Sequence, residues 1–222
     1  MNHRHTRTRK ARLGLVAAVT ATVVGASVGA SLGANPAQAA EASRHGLGHR
    51  SLAQVLAADK GFDRNWSDFD ILDKAVTTVL AAKPDSPVKV LTQGRTRLTA
   101  FLPTDRAFRR LVHDLTGRAP RTERGTFRAI THVADVDTIE AILLYHVVPG
   151  QTLPASKVVK LDGTSVTTAG GGQITVRVHG TNVRLVDQDP DARNPRVVAV
   201  DINKGNRQIA HAINRVLRPI DL

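Results

Sequence analysis

The hydrophobic periodicity of this chain changes near Tyr145, and that change limits the folds open to it. Before this point, as in residues 68–80, apolar residues recur at the spacing of an amphipathic helix. Beyond it, β-branched residues alternate in 173–178 and cluster in 183–186, with a Gly-containing turn at 179–181. This spacing is typical of antiparallel hairpins. Helices followed by hairpins predict an α+β domain.

The first forty residues have the composition of an export signal. Residues 1–12 hold five basic residues and no acid, residues 13–34 carry no charge, and Ala37-Gln38-Ala39 follows. This order indicates a secretory signal peptide, residues 1–39, that is cleaved after Ala39. An uncleaved membrane anchor is the alternative, since about twenty apolar residues can span a bilayer. The many Gly, Ser, Thr and Ala residues of the segment favour cleavage.

The rest of the chain is predicted to form a short lead and one domain. Residues 40–67 begin with a polar stretch and are expected to be a flexible lead with a short helix capped by Ser51. Residues 68–222 are expected to form the α+β domain, whose length allows an ordinary core without disulfides. A short helix near Arg207 and a final strand over 212–217 are expected to close it.

Charge and composition narrow the classes of function. The chain has 31 Lys and Arg against 19 Asp and Glu, a net charge of +12. Loss of residues 1–39 removes five positive charges, so the mature chain of 183 residues carries +7. This charge suits a protein that faces acidic envelope polymers outside the cell. The absence of Cys excludes disulfides and thiolate metal sites, and in a secreted protein it fits a bacterium better than an animal.

Familiar catalytic and metal-binding motifs are absent from the sequence. The chain has no G-x-S-x-G elbow, P-loop, H-E-x-x-H or dinucleotide fingerprint. Asp187, Asp189 and Asp191 lack the Gly and Glu of a calcium loop and are interpreted as turn residues. We therefore predict no metal site and no cofactor. A secreted hydrolase that uses His146 or His211 with an Asp is one alternative function.

Arg106, Arg109 and Arg110 predict a basic patch on one face of a helix, because they recur at i, i+3 and i+4. Such a patch can bind phosphate or sulfate polymers, or it can be a solvated face of a basic protein. Nucleic-acid binding is disfavoured, because stacking platforms need aromatic side chains and the large amphipathic ones here are Trp66 and Tyr145. A polyanion or nucleic-acid binder is the second alternative.

Three segments, taken in order, resemble the fasciclin (FAS1) domain family. Residues 98–111 (LTAFLPTDRAFRRL) are similar to its first signature, a strand followed by Pro-Thr and a helix. Residues 143–150 (LLYHVVPG) match its central Tyr-His motif, and residues 208–219 (QIAHAINRVLRP) are similar to its closing signature. The resemblance covers about residues 68–222, and the chain as a whole resembles a secreted, single-domain actinobacterial member.

The resemblance implies a β-wedge or sandwich flanked by several α-helices. It also implies a secreted, non-enzymatic adhesion or interaction module, extracellular or associated with the cell envelope. The expected partner is an extracellular protein or an acidic envelope polysaccharide, and no membrane span is expected after signal cleavage. In animal members, positions that match Tyr145, His146, Asp201 and Ile202 have been linked to integrin recognition, so these are candidate contact residues. For Tyr145 and His146 we favour a structural interpretation, with rings packed and polar tips bonded inside the fold.

Overall fold

The computed structural model describes residues 46–59 and 61–220. The predicted signal peptide lies outside the described residues, so its cleavage stays a prediction. Within the described ranges, no helix is long and apolar enough to cross a membrane.

Helices dominate the first half of the described chain. They are α1 (Leu52–Leu56), α2 (Asp70–Ala82), a 3₁₀ helix (Pro87–Thr92), α3 (Asp105–Thr116), α4 (Glu123–Val133), α5 (Val136–Tyr145), α6 (Ala155–Val158) and a second 3₁₀ helix (Val159–Leu161). The predicted cap of α1 is present: Ser51 and Gln54 exchange side-chain to backbone hydrogen bonds as a capping box. At the start of α2, the Asp105 carboxylate accepts the N–H groups of Asp70 and Ile71.

The strands form two sheets. They are β1 (Leu98–Pro103), β2 (Val147–Pro149), β3 (Ser165–Thr167), β4 (Gln173–His179), β5 (Asn182–Val186), β6 (Val197–Ile202) and β7 (Gln208–Ile213). The first sheet has the order β2-β1-β7-β6, with β1 and β7 parallel and its other pairs antiparallel. The second is the antiparallel sheet β3-β4-β5. The predicted α+β class is therefore confirmed.

Strands β1 and β7 are buried along their whole length and divide the interior into two cores. Because neighbouring side chains of a strand point to opposite faces, Leu98 and Leu102 enter a larger core with the helices. Phe101 and Ile213 enter a smaller core with the second sheet. The central pair of strands thus carries apolar residues on both faces, as a covered parallel pair requires.

The closing segment differs from its prediction. Strand β7 begins at Gln208, and a turn at 203–205 takes the place of the expected helix near Arg207. The reason is the fully buried Gln208 side chain, which accepts the N–H of Leu52 and donates to the carbonyl of Val90. A polar residue with its hydrogen bonds satisfied can occupy a core position, and hydrophobic periodicity does not detect it.

The expected flexible lead is packed from residue 46 onward. Leu52 and Leu56 of α1 are buried in the larger core. The N–H of Gly48 donates to the carbonyl of Gly205 (2.8 Å), and the carbonyl of Gly48 accepts the N–H of Arg207 (3.0 Å). The burial of α1 and these two hydrogen bonds hold the segment on the domain.

Candidate functional site

A cleft of about 590 Å³ carries a concentration of positive charge. Its lining residues come from α3, β5, the loop before β6 and the segment after β7: Arg110, Arg184, Ala192, Arg193, Asn194, Arg196, Asn214 and Arg215. We call it the arginine cleft. Five of these eight residues are arginines and none is acidic, so the cleft attracts anions.

Asn214 ties three walls of the arginine cleft together. Its side-chain oxygen accepts the N–H of Arg196 (2.8 Å), and its own N–H donates to the carbonyl of Arg196 (3.1 Å). Its carbonyl accepts a hydrogen bond from the guanidinium of Arg110 (2.8 Å). Arg184 joins Arg196 through a backbone bridge. The arginine side chains of the cleft therefore project from a backbone that these hydrogen bonds hold in place.

The loop between β5 and β6 is held by a buried ion pair. The Asp189 carboxylate lies 3.0 Å from the Arg218 guanidinium and accepts the N–H groups of Asp191 and Ala192. Asp187 accepts the N–H of Arg218 (2.9 Å). Asp187 and Asp189 thus accept backbone hydrogen bonds, as their interpretation as turn residues requires, and they fix the loop that carries two arginines of the cleft.

The Arg110 guanidinium lies among other positive charges of the arginine cleft. Burial lowers the pKa of Arg110, and the positive charges of Arg215, Arg106 and Arg196 lower it further, while Asp114 acts in the opposite direction. Like charges therefore crowd this wall of the cleft.

Three guanidinium groups of the arginine cleft remain available to a ligand. Arg184, Arg193 and Arg196 are exposed, and within the described part of the chain none of them forms an ion pair with a carboxylate. Arg215 differs, because its guanidinium lies 3.0 Å from Asp114. An incoming anion would thus meet unpaired cations and would not need to displace an internal partner.

A second groove of about 510 Å³ shares Arg110, Arg196 and Asn214 with the arginine cleft. We call it the tryptophan groove, and its remaining lining residues are Trp66, Ser67, Phe69, Thr104, Arg106, Val198, Ala199, Ile202 and Ala212. The half-buried Trp66 ring gives it an aromatic wall. The two depressions together form one surface on which cationic, aromatic and aliphatic groups adjoin.

The predicted basic patch of α3 has two distinct parts. Arg106 and Arg110 line the tryptophan groove. Arg109 has its guanidinium carbon 5.0 Å from the centroid of the Trp66 ring, and its Nε donates to the carbonyl of Pro120 (2.7 Å). Arg109 therefore holds the tryptophan through a cation–π contact, while its neighbours face the groove.

Tyr145 and His146 are bonded inside the fold. The Tyr145 hydroxyl donates to the carbonyl of Gln173 (2.7 Å), and burial raises the pKa of this group to about 12. His146 Nδ1 lies 2.7 Å from the carbonyl of Ile142, and Nε2 accepts the N–H of Leu217 (2.9 Å). Burial lowers the pKa of His146 to about 4, so the ring is neutral. This matches the favoured structural interpretation, and a role in partner contact stays a prediction.

The hydrolase alternative needs a histidine nitrogen that is free to take a proton. His211 is 1% exposed, its Nε2 lies 2.8 Å from the carbonyl of Leu153, and its Nδ1 accepts the N–H of Asp201 (3.4 Å). Burial lowers the pKa of His211. The nitrogens of His146 are likewise occupied by backbone groups, so the geometry gives this alternative no support.

Asp201 and Ile202 lie at the end of β6. Asp201 has a positive φ of 58°, which is uncommon for a residue other than glycine. One oxygen of its carboxylate accepts the N–H of Ala155 (2.7 Å), and the other pairs with Lys204 (3.1 Å). Ile202 packs partly against the larger core. Both residues have structural partners, and their role as contacts stays a prediction.

Six carboxylates gather near the starts of α2, α3 and α4. They are Asp59, Asp63, Asp68, Asp70, Asp105 and Glu123, and we call them the carboxylate cluster. Three overlapping triads within it have one oxygen from each residue within 4.8 Å of the others, a spacing at which carboxylates can hold a hard cation. The prediction of no metal site rests on the absence of familiar metal-binding motifs and of a calcium loop. No such motif marks the four cluster aspartates that fall within residues 59–70.

The sequence and the fold of the chain are both similar to those of known proteins. A family model described as the fasciclin domain matches residues 74–219. Among solved structures, the chain is similar to a FAS1 domain pair from the insect cell adhesion molecule fasciclin I, with 16% identity and a TM-score of 0.52. The match covers 77% of this chain and 51% of the fasciclin I chain, so this chain spans about half the length of the fasciclin I chain. No curated protein matches the sequence. The structural likeness confirms the FAS1-like fold.

Proposed function

The chain belongs to the fasciclin domain family, and from that premise we propose that it is a secreted, non-enzymatic adhesion module that binds acidic polysaccharide through the arginine cleft. Domains of this family are typically adhesion or interaction modules and are often extracellular. The predicted signal peptide supports secretion, with the protein either released or associated with the cell envelope.

The arginine cleft is the observation that carries this proposal. Its five arginines face one concave surface with no acid in the lining. A guanidinium binds carboxylate, sulfate or phosphate through two parallel hydrogen bonds, which a lysine ammonium cannot do. Arg184 comes from β5, whereas Arg193 and Arg196 come from the loop before β6, and none of the three has an ion pair among the described residues. They would serve a ligand with repeated negative charges better than a single small anion.

The tryptophan groove favours a polysaccharide over other polyanions. Trp66 offers one aromatic face, and Val198 and Ala199 offer apolar surface beside it. An aromatic face can cover the apolar face of a sugar ring, whereas a single-stranded nucleic acid needs several aromatic side chains to stack successive bases. An acidic protein surface is the other expected partner, and the experiment below distinguishes it from a polysaccharide.

The test uses the intrinsic fluorescence of Trp66, the one tryptophan in the chain. Purified protein is titrated with polygalacturonate and, in parallel, with neutral dextran and with an acidic polypeptide, poly-glutamate. We expect saturable binding of polygalacturonate, weaker binding of poly-glutamate and no response to dextran. Equal binding of dextran, or absence of binding to all three, would contradict the proposal, and tighter binding of poly-glutamate would transfer it to an acidic protein.

A pair of charge-matched variants assigns the binding to the cleft. Arg193→Gln with Arg196→Gln removes two exposed cleft arginines, and we expect at least about tenfold weaker binding, since a lost charged contact costs about 1.5 kcal/mol or more. Arg128→Gln with Arg177→Gln removes the same charge from two exposed positions outside the cleft. This control should bind as the wild type does. Equal losses in both variants would mean that net charge, and not the cleft, attracts the polymer.

A further inference from the structure

We propose that the carboxylate cluster is a binding site for a divalent cation with the preferences of Ca²⁺. Its three most buried members are Asp70, Asp105 and Glu123, which are 4%, 0% and 1% exposed. They form one triad with an oxygen from each within 4.8 Å of the others. Asp68 belongs to both of the other triads, with Asp59 and Asp70 in one and with Asp63 and Glu123 in the other.

Unsatisfied oxygens inside the cluster point to a missing ligand. Oδ2 of Asp70 and Oε1 of Glu123 are buried and have no hydrogen-bond partner. The buried carboxyl group of Asp68 shares a side-chain hydrogen bond with Asp105. A buried carboxylate oxygen without a partner is costly, because it has lost its water and gained nothing in exchange. Two such atoms in one cluster are explained together if both of them face a cation.

Helix geometry brings these acids together but does not satisfy them. Asp70, Asp105 and Glu123 are the first residues of α2, α3 and α4. The partial positive charge of a helix N-terminus favours a carboxylate, and Asp105 also accepts the N–H groups of Asp70 and Ile71. Three converging helix starts thus tolerate the negative charges, while the remaining oxygens of Asp70 and Glu123 still lack donors.

Repulsion between neighbouring carboxylates destabilises the cluster unless a cation binds there. In sets of three, oxygens of Asp68, Asp70, Asp105 and Glu123 lie within 4.8 Å of one another, so negative charges on them repel. Within the described chain, no base forms an ion pair with Asp63, Asp68, Asp70, Asp105 or Glu123. A bound cation would offset the repulsion between these carboxylates.

The donor set selects the class of cation. Every candidate ligand is a carboxylate oxygen, and neither His nor Cys takes part, so a hard cation is favoured over Zn²⁺ or Cu²⁺. The triad of Asp70, Asp105 and Glu123 brings together the starts of three helices, and the flexible coordination geometry of Ca²⁺ accommodates such a set. Mg²⁺ prefers a strict octahedron that retains several waters, which fits a buried cluster less well.

The experiment measures thermal unfolding of the full chain at pH 7.5 after treatment with EDTA and its removal. CaCl₂ is added at constant ionic strength, with MgCl₂ and NaCl in parallel. At a hundredfold excess of Ca²⁺ over its Kd, we expect the Tm to rise by about 5 to 10 °C. Calorimetric titration of the wild type should give one saturable Ca²⁺ event. No Tm shift and no saturable heat would overturn the proposal, and an equal response to Mg²⁺ would overturn the assignment to Ca²⁺.

Three variants separate the site from general charge effects. Asp70→Asn and Glu123→Gln keep the shape of the side chains and should lose most of the Ca²⁺-dependent rise in Tm. Their Tm without metal should equal or exceed that of the wild type, because a repelled buried charge has been removed. Asp85→Asn changes an exposed acid outside the cluster and should keep the full Ca²⁺ response. A full response in Asp70→Asn and Glu123→Gln would overturn the site.

Discussion

The arginine cleft and the carboxylate cluster both collect like charges, but they differ in their access to water. Arg184, Arg193 and Arg196 are exposed, so solvent and salt screen their repulsion and the fold tolerates them without a ligand. Asp70 and Glu123 are almost fully buried, where screening is weak and an unpaired charge opposes folding. Like charges at the surface can therefore serve binding alone, whereas in the interior they connect binding to stability.

One short loop connects the carboxylate cluster with the tryptophan groove, which adjoins the arginine cleft. Asp63 and Asp68 belong to the carboxylate cluster, and Trp66 between them lines the tryptophan groove. The N–H of Arg106 donates to the carbonyl of Trp66, and the N–H of Asp105 donates to the carbonyl of Asp68, each at 3.0 Å. The loop is thus anchored on the first turn of α3, which places one wall of the groove beside the cluster.

The largest expected effect comes from Arg218→Met. Arg218 is a buried arginine beside the arginine cleft, and its loss leaves the nearly inaccessible Asp189 carboxylate without its partner. We expect the free energy of unfolding to fall by about 3 to 5 kcal/mol, measured by urea denaturation. Arg215→Met removes a partly exposed partner of Asp114 and should cost about 1 kcal/mol or less. Equal losses of stability in the two variants would contradict the difference between buried and exposed charges.

His146→Leu tests a buried group that is neutral. The substitution leaves the N–H of Leu217 and the carbonyl of Ile142 without partners, and we expect a loss of about 2 to 4 kcal/mol in stability. Because the pKa of His146 is lowered to about 4 in the fold, the wild type should lose stability as pH falls from 6.5 toward 4. The difference between wild type and variant should shrink over that range. A constant difference would show that His146 is not held neutral.

The carboxylate cluster should give the opposite dependence on pH. The pKa of Asp70 is raised to about 6, so its contribution is most favourable at low pH, where both states are protonated. That contribution declines as pH rises from 4 through 6. Without metal, the free energy of unfolding of Asp70→Asn relative to that of the wild type should therefore rise by about 2 kcal/mol between pH 4 and pH 7. Urea denaturation across this range measures it, and saturating Ca²⁺ should remove the gain. A difference that does not change with pH would contradict the raised pKa.

The smallest effect on stability should come from substitutions of the exposed arginines in the arginine cleft. Arg193→Gln with Arg196→Gln replaces exposed side chains that have no ion pair within the described structure, and the backbone contacts of Arg196 with Asn214 remain. We expect the free energy of unfolding to change by no more than about 0.5 kcal/mol. A large loss of stability would show that these arginines support the fold rather than a ligand.

Local patterns predicted several individual elements well. The strand over 98–102, the capped helix after Ser51 and the Tyr-His motif all lie near their expected places. The predicted start of β7 was wrong because the Gln208 side chain forms hydrogen bonds with residues more than a hundred positions away. Local periodicity contains no information about such partners.

The candidate site could be predicted only in part. Arg106 and Arg110 were identified from their helical spacing, but the arginine cleft joins Arg110 to residues from β5 onward. The carboxylate cluster joins a loop to three helix starts between residues 59 and 123. Both sites are made by tertiary contacts between distant segments, and a sequence pattern does not define which distant charges meet.

The salt dependence of polymer binding tests the central claim most directly. The Kd for polygalacturonate is measured by Trp66 fluorescence between 50 and 200 mM NaCl, for the wild type and for Arg193→Gln with Arg196→Gln. If the arginine cleft holds the polymer, log Kd rises steeply with log salt in the wild type, and the slope falls by about two in the double variant. A slope that is near zero in the wild type, or that is the same in both proteins, would contradict binding through the cleft.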